Sequence, residues 1–140
     1  MSADCPVIVD TSALVAILRE EADVAVYALS IEAAEQVRIS AGTLLETTIV
    51  IDSNRSPRLS RRLNELVQAI PLIVEPVTDE QARIAREAYR DYGRGSGHPA
   101  RLNFGDCFAY ALARASGEPL LFKGDDFIHT DITPALTETS

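Results

Sequence analysis

Four acidic positions, widely separated along the chain, fall where a strand end or an apolar helix would otherwise carry a hydrophobe or a plain cap. Asp10 follows Val7-Ile8-Val9, and Glu46 sits inside Leu44-Leu45-Glu46-Thr47-Thr48-Ile49-Val50-Ile51. Asp106 opens Cys107-Phe108-Ala109-Tyr110-Ala111-Leu112-Ala113, and the pair Asp125-Asp126 comes after Leu120-Leu121-Phe122. An ionised carboxylate in apolar surroundings is costly unless it is paired or holds a metal. Four such positions point to one shared ligand, a hard divalent cation bound through oxygen. The ion offsets the mutual repulsion that raises the pKa values of clustered carboxylates. It also keeps coordination positions open for phosphate, so phosphodiester hydrolysis is the natural reaction. Metal binding without a reaction is allowed by the same residues.

The elements that must position these acids are legible from apolar spacing. Residues 7–9 form a short, continuous, β-branched strand. Ser12 is placed to cap a helix over residues 13 to about 20, with Leu14, Ile17 and Leu18 on one face. A second helix covers about 23–35, residues 37–39 make a second strand, and Ser40 caps a helix to about residue 52. After a polar break at 53–57, an amphipathic helix runs over 58–69 and a third strand over 72–74. Thr78 opens a helix to about residue 92, with Gln81 at the capping-box position. A Gly-rich loop (93–99) leads to a helix over 103–115, stopped by Gly117, and then to a fourth strand at 120–122. Ile132 is assigned to a last edge strand. Alternating strands and helices predict an α/β sandwich with a mainly parallel sheet.

Sites in such sheets form beyond the carboxyl ends of the strands. Asp10 and Asp125-Asp126 come directly after strands, while Asp106 and Glu46 lie in early turns of helices that can reach the same end. An acid in a first helical turn is often only a favourable dipole partner. The helix behind Asp106, however, is apolar on every face and is expected to be buried.

Composition narrows the class. A chain of 140 residues and 15.2 kDa with 46% hydrophobic residues reads as one domain, 1–140, with a substantial core. No stretch has the length of a membrane span, and the first residues lack a signal-peptide pattern, so a cytoplasmic location is expected. A net charge of −8 argues against a broad basic nucleic-acid surface, but not against phosphate binding through a metal. Arg55, Arg58, Arg61 and Arg62 crowd together, either as a solvated helix face or as a patch for phosphates or an acidic partner segment. Cys5 and Cys107 have no C-x-x-C spacing, which disfavours cysteine-held zinc and a disulfide framework. Cys107 is read as core, and His98 and His129 as loop histidines.

By these segments the chain resembles the PIN-domain ribonucleases, and specifically the VapC toxins of toxin–antitoxin pairs. The matching stretches are Val7-Ile8-Val9-Asp10-Thr11-Ser12-Ala13-Leu14, Ser40-Ala41-Gly42-Thr43-Leu44-Leu45-Glu46, Asn103-Phe104-Gly105-Asp106 with its helix, and Leu120-Leu121-Phe122-Lys123-Gly124-Asp125-Asp126-Phe127. The resemblance implies a three-layer α/β/α sandwich with a mainly parallel sheet of four or five strands. By the same resemblance Asp10 and Asp106 are the primary ligands of Mg²⁺ or Mn²⁺, and Glu46 completes the site. The fourth acid is Asp126 or its neighbour Asp125, while Thr11 and Ser12 resemble hydroxyls lining the pocket. The implied activity is endonucleolytic cleavage of structured RNA (tRNA or rRNA), leaving 5′-phosphate and 3′-hydroxyl ends and stopping translation. Implied partners are a second copy and a VapB-type antitoxin, with promoter DNA bound only through the antitoxin.

Rival readings are weaker. A HAD-like phosphatase wants D-x-D where this chain has Asp10-Thr11-Ser12, and a receiver domain lacks its acidic pair, with Lys123 the only lysine available. A PIN-like module that binds RNA or protein without cutting, and a DNA-directed PIN-like nuclease, are the remaining alternatives.

Overall fold

In the computed structural model, which describes residues 6–136, four strands form one sheet between two layers of helices. Strand β1 (Val7–Val9) leads into α1 (Thr11–Leu18) and α2 (Val24–Ala33), which return the chain to β2 (Val37–Ser40). Helices α3 (Ala41–Asp52) and α4 (Pro57–Ala69) carry it to β3 (Leu72–Glu75). Helices α5 (Asp79–Tyr92) and α6 (Asp106–Ser116) then cross to β4 (Leu120–Leu121). Every pairing is parallel and the strand order is β3-β2-β1-β4. The chain thus winds outward from β1 to β3, then jumps across the sheet to lay β4 on the other side of β1.

The alternation of side chains along a strand explains the layers. Val7 and Val9 pack with Leu14, Tyr27 and Ile31 of α1 and α2. Ile8 points the other way and packs with Ala88 of α5 and Ala109 and Tyr110 of α6. Each such buried aliphatic side chain contributes roughly 1.5–3 kcal/mol by leaving water. Helix α6 is buried at Cys107 and from Ala109 to Ala113, as expected of a helix without a polar face. Gly117 ends it in the left-handed region at φ 71°, where a Cβ would be strained.

Several sequence expectations change. Ser12 does not cap α1; Asp10 does, its Oδ2 accepting from the Ser12 N–H at 3.0 Å, and Ser12 lies inside the first turn. Ile132 is buried but forms no strand: its segment reaches β4 only through an isolated parallel bridge between Leu120 and Pro134. Only the Thr133 carbonyl and the Ala135 N–H pair with Leu120, so among the described residues the sheet keeps four strands. Helix α6 begins at Asp106 rather than at residue 103. His98 is not simply solvated, since its Nδ1 accepts from the Ala100 N–H and its ring packs edge-on against Tyr92. Cys5 lies outside the described residues. No helix among the described residues is long and apolar enough to cross a membrane.

Candidate active site

The site lies where the winding of the sheet reverses, between β1 and β4. Such a switch point opens a crevice beyond the strand ends because successive connections leave to opposite sides. Here the Asp10 N–H donates to the Leu121 carbonyl at 3.0 Å, continuing the pairing of β1 with β4 by one residue. Asp10 and the Asp125-Asp126 turn are therefore neighbours. Ser40, at the end of β2, caps α3 through the Gly42 N–H and starts the helix that delivers Glu46.

Asp10 is 3% exposed and Asp106 is 7% exposed, so both carboxylates are out of bulk water. Burial raises the Asp10 carboxyl to about 6, with the nearby charge of Glu46 adding to the effect against the lowering hydrogen bonds from Ser12. Asp106 is raised to about 8, first by burial and then by the charges of Asp10 and Asp126. The Asp126 carboxylate therefore acts on Asp106 from the turn after β4. These relations link Asp10 to Asp106, Asp106 to Asp126, and Asp10 to Glu46.

Each acid is also held by its own neighbours. Ser12 Oγ donates to Asp10 Oδ2 at 2.6 Å, reinforcing the backbone bond to the same oxygen. Thr11 Oγ1 donates to Glu46 Oε1 at 2.7 Å and lies 2.9 Å from the buried Thr47 hydroxyl. Asn103 and Asp106 exchange two hydrogen bonds, one from each backbone N–H to the other side chain. Asn103 is thus a site residue that the motifs left unassigned; its signal was the N-x-x-D spacing, which resembles a capping box. Gly105 stands beside it, where an added Cβ would fall on the present place of the Glu46 carboxylate.

Four acids in apolar surroundings were expected to form the site, and the structure corrects this in part. Glu46 is half-buried, while Asp125 and Asp126 are exposed on a turn at the crevice mouth. Nor do Asp10, Glu46 and Asp106 stand as a closed ligand set: no group of three His, Cys, Asp or Glu among the described residues is arranged to hold a metal as it stands. Like charges repel, and Glu46 is satisfied by Thr11 instead. The residues nevertheless fit a divalent cation. Asp10 Oδ1 is buried without any hydrogen-bond partner, and the donor set consists of hard carboxylate oxygens.

Other candidates fall elsewhere. Arg58 and Arg62 pair with Glu20, just past the far end of the eight-residue α1, roughly 12 Å of helix from Asp10. Arg55 and Arg61 are exposed and make no ion pair among the described residues. Cys107 is buried, and burial together with the Asp106 charge pushes its thiol up to about 11, which leaves it inert as a nucleophile. His129 is exposed and outside the acid cluster.

Known proteins share this architecture. The PIN domain family model matches residues 7–132. Ribonuclease VapC28 of Mycobacterium tuberculosis is 58% identical over 129 residues, covering 92% of this chain and 97% of the relative. Among solved structures, Mycobacterium tuberculosis VapC20, described as a Sarcin-Ricin loop cleaving toxin, aligns with a TM-score of 0.72 at 20% identity, over 91% of this chain and 96% of that one. VapBC2 of Rickettsia felis, bound to a DNA fragment from its promoter, aligns with a TM-score of 0.70 at 11% identity, over 92% of this chain and 96% of that one.

Proposed function

The chain belongs to the PIN-domain family and within it to the VapC ribonucleases, and from that premise we propose that it is a Mg²⁺- or Mn²⁺-dependent endoribonuclease, the toxin of a toxin–antitoxin pair. The observation that carries the reading is the buried Asp10 oxygen without a partner, together with a second buried carboxylate, Asp106, whose proton affinity is raised by burial and then by its acidic neighbours.

In this reading Asp10 and Asp106 hold the ion, and Glu46 completes the set directly or through water. When bound, the ion neutralises charge on the phosphodiester oxygens and makes a nucleophile available at neutral pH. The chain's own residues supply orientation and proton handling. Ser12 holds Oδ2 of Asp10, leaving Oδ1 for the ligand. Asn103 holds Oδ2 of Asp106 through its backbone N–H. Thr11 steadies Glu46 from the buried side. Asp126, exposed on the turn after β4 and close enough to act on Asp106, would serve as proton acceptor for the attacking water. The products would carry 5′-phosphate and 3′-hydroxyl ends.

The proposed substrate is structured RNA, tRNA or rRNA, and the proposed partner is a VapB-type antitoxin whose contacts in the acidic groove silence the enzyme. A homodimer in the cytoplasm completes the reading, with promoter DNA bound through the antitoxin. Purified chain, freed of antitoxin, should cut total cellular RNA at discrete sites with Mg²⁺ or Mn²⁺ and not with EDTA. An Asp106→Asn variant of unchanged fold should be inactive. Full activity in EDTA or in that variant would overturn the assignment.

A further inference from the structure

The single lysine of the chain sits next to the acids yet does not neutralise them. Lys123 Nζ is turned away, onto Glu21 and onto Asp23 Oδ1, the latter at 3.0 Å. Both partners lie in the turn between α1 and α2. The Lys123 backbone N–H meanwhile donates to Ser12 Oγ at 2.9 Å, the hydroxyl that itself donates to Asp10. One residue therefore ties three elements together: the α1–α2 turn, the first turn of α1, and the segment after β4.

The stretch beyond Lys123 needs such a tie. Gly124 is in the left-handed region at φ 103°, and Asp125 and Asp126 are exposed. The segment is next anchored at Phe127, which is 2% exposed and packs against Phe122 with ring centroids 5.2 Å apart. Between Lys123 and Phe127 no side chain is buried. The turn bearing Asp126 hangs between these two fixed points.

We propose that Lys123 is a positioning residue for the nuclease site: its ion pairs with Glu21 and Asp23 fix the Gly124–Asp126 turn, and so hold Asp126 beside Asp106. The ammonium acts through the protein and not by contact with RNA. This rests on the ribonuclease reading for its kinetic consequence, but not for its structural one.

The test compares Lys123→Met, Lys123→Arg and the double variant Glu21→Gln with Asp23→Asn, each checked for native circular dichroism. Lys123→Met is expected to lower kcat on the order of 10- to 100-fold with KM little changed, the size of effect that misplacing a catalytic group by about 1 Å produces. Amide exchange over residues 123–126 should quicken and Mn²⁺ affinity should fall several-fold. The double variant should reproduce these effects, and Lys123→Arg should restore most of the activity. If Lys123→Met raises KM alone while the double variant keeps wild-type kcat, the ammonium contacts RNA directly and the proposal is wrong. Unchanged exchange and Mn²⁺ binding in Lys123→Met would also overturn it. Should the wild-type chain prove inactive on RNA, the exchange and Mn²⁺ measurements still decide the clamp independently.

Discussion

Asn103 and Asp106 hold one another through two reciprocal hydrogen bonds, 3.0 Å from the Asn103 N–H to Asp106 Oδ2 and 2.9 Å from the Asp106 N–H to Asn103 Oδ1. The pair closes the turn that starts α6 and fixes the rotamer of its buried carboxylate. An acid at a helix start would otherwise be free to cap its own helix, so the partner decides where the second oxygen points. Replacing Asn103 by Ala should cost about 1 kcal/mol of stability, the usual loss for a capping side chain. RNA cleavage should fall further than that stability loss accounts for, which thermal unfolding beside kcat measurement would reveal. Wild-type kcat in Asn103→Ala would mean that Asp106 needs no orienting partner.

Acid titration gives a second prediction. Asp10 at about 6 and Asp106 at about 8 both lie above the ordinary value of 3.8. Between roughly pH 4 and 8 the folded chain therefore binds more protons than the unfolded chain, and stability falls as pH rises through that window. For Asp10 the loss is about 3 kcal/mol once pH exceeds its folded pKa. Urea unfolding of the metal-free chain at pH 5 and pH 8 should show the decline, and Asp106→Asn should flatten it. Added Mg²⁺ should stabilise the chain more at pH 8 than at pH 5, because the ligand form is then populated. Equal stabilisation at both values would argue against these two carboxylates as ligands.

The adjacent acids of the last turn should behave differently. Asp126 acts on Asp106, so Asp126→Ala should reduce cleavage on the order of 10²-fold or more, in the range of a lost general base. Asp125→Ala should stay within about twofold of wild type, since surface substitutions away from such contacts are typically near neutral. The opposite ranking would move the fourth acid to Asp125.

Gly105 offers a steric probe of Glu46. Its φ of −64° suits any residue, so Gly105→Ala carries no backbone strain, but the new Cβ would occupy the place of the Glu46 carboxylate. That carboxylate is the end of a flexible side chain and can swing aside. The variant should fold with near-wild-type melting temperature yet bind Mn²⁺ more weakly, as isothermal titration would measure. Unaltered binding would remove Glu46 from the ligand set.

Much of this fold is legible in the sequence because its signals are local. The β-branched run of Val7–Val9, the caps at Ser40 and Thr78 and the stop at Gly117 each act within a few residues, whereas the Gln81 side chain does not close the expected capping box and its Oε1 stays without a partner. Asp10 and Asp106 stand out for the same reason, as charges bordering apolar runs. Three-dimensional decisions are not local. Strand order puts β4 beside β1, and only that adjacency brings residues more than a hundred positions apart, Ser12 and Lys123, into hydrogen-bond contact. The unequal burial of the four acids, the reach of Thr11 to Glu46, and the turn of Lys123 onto Glu21 and Asp23 depend on how helices from both layers meet at the sheet's end. Residue type and periodicity determined which elements form and which side chains could do chemistry. Packing decided which of those side chains lost their water and which found a partner, because desolvation and hydrogen bonding are properties of neighbours that only the folded chain supplies.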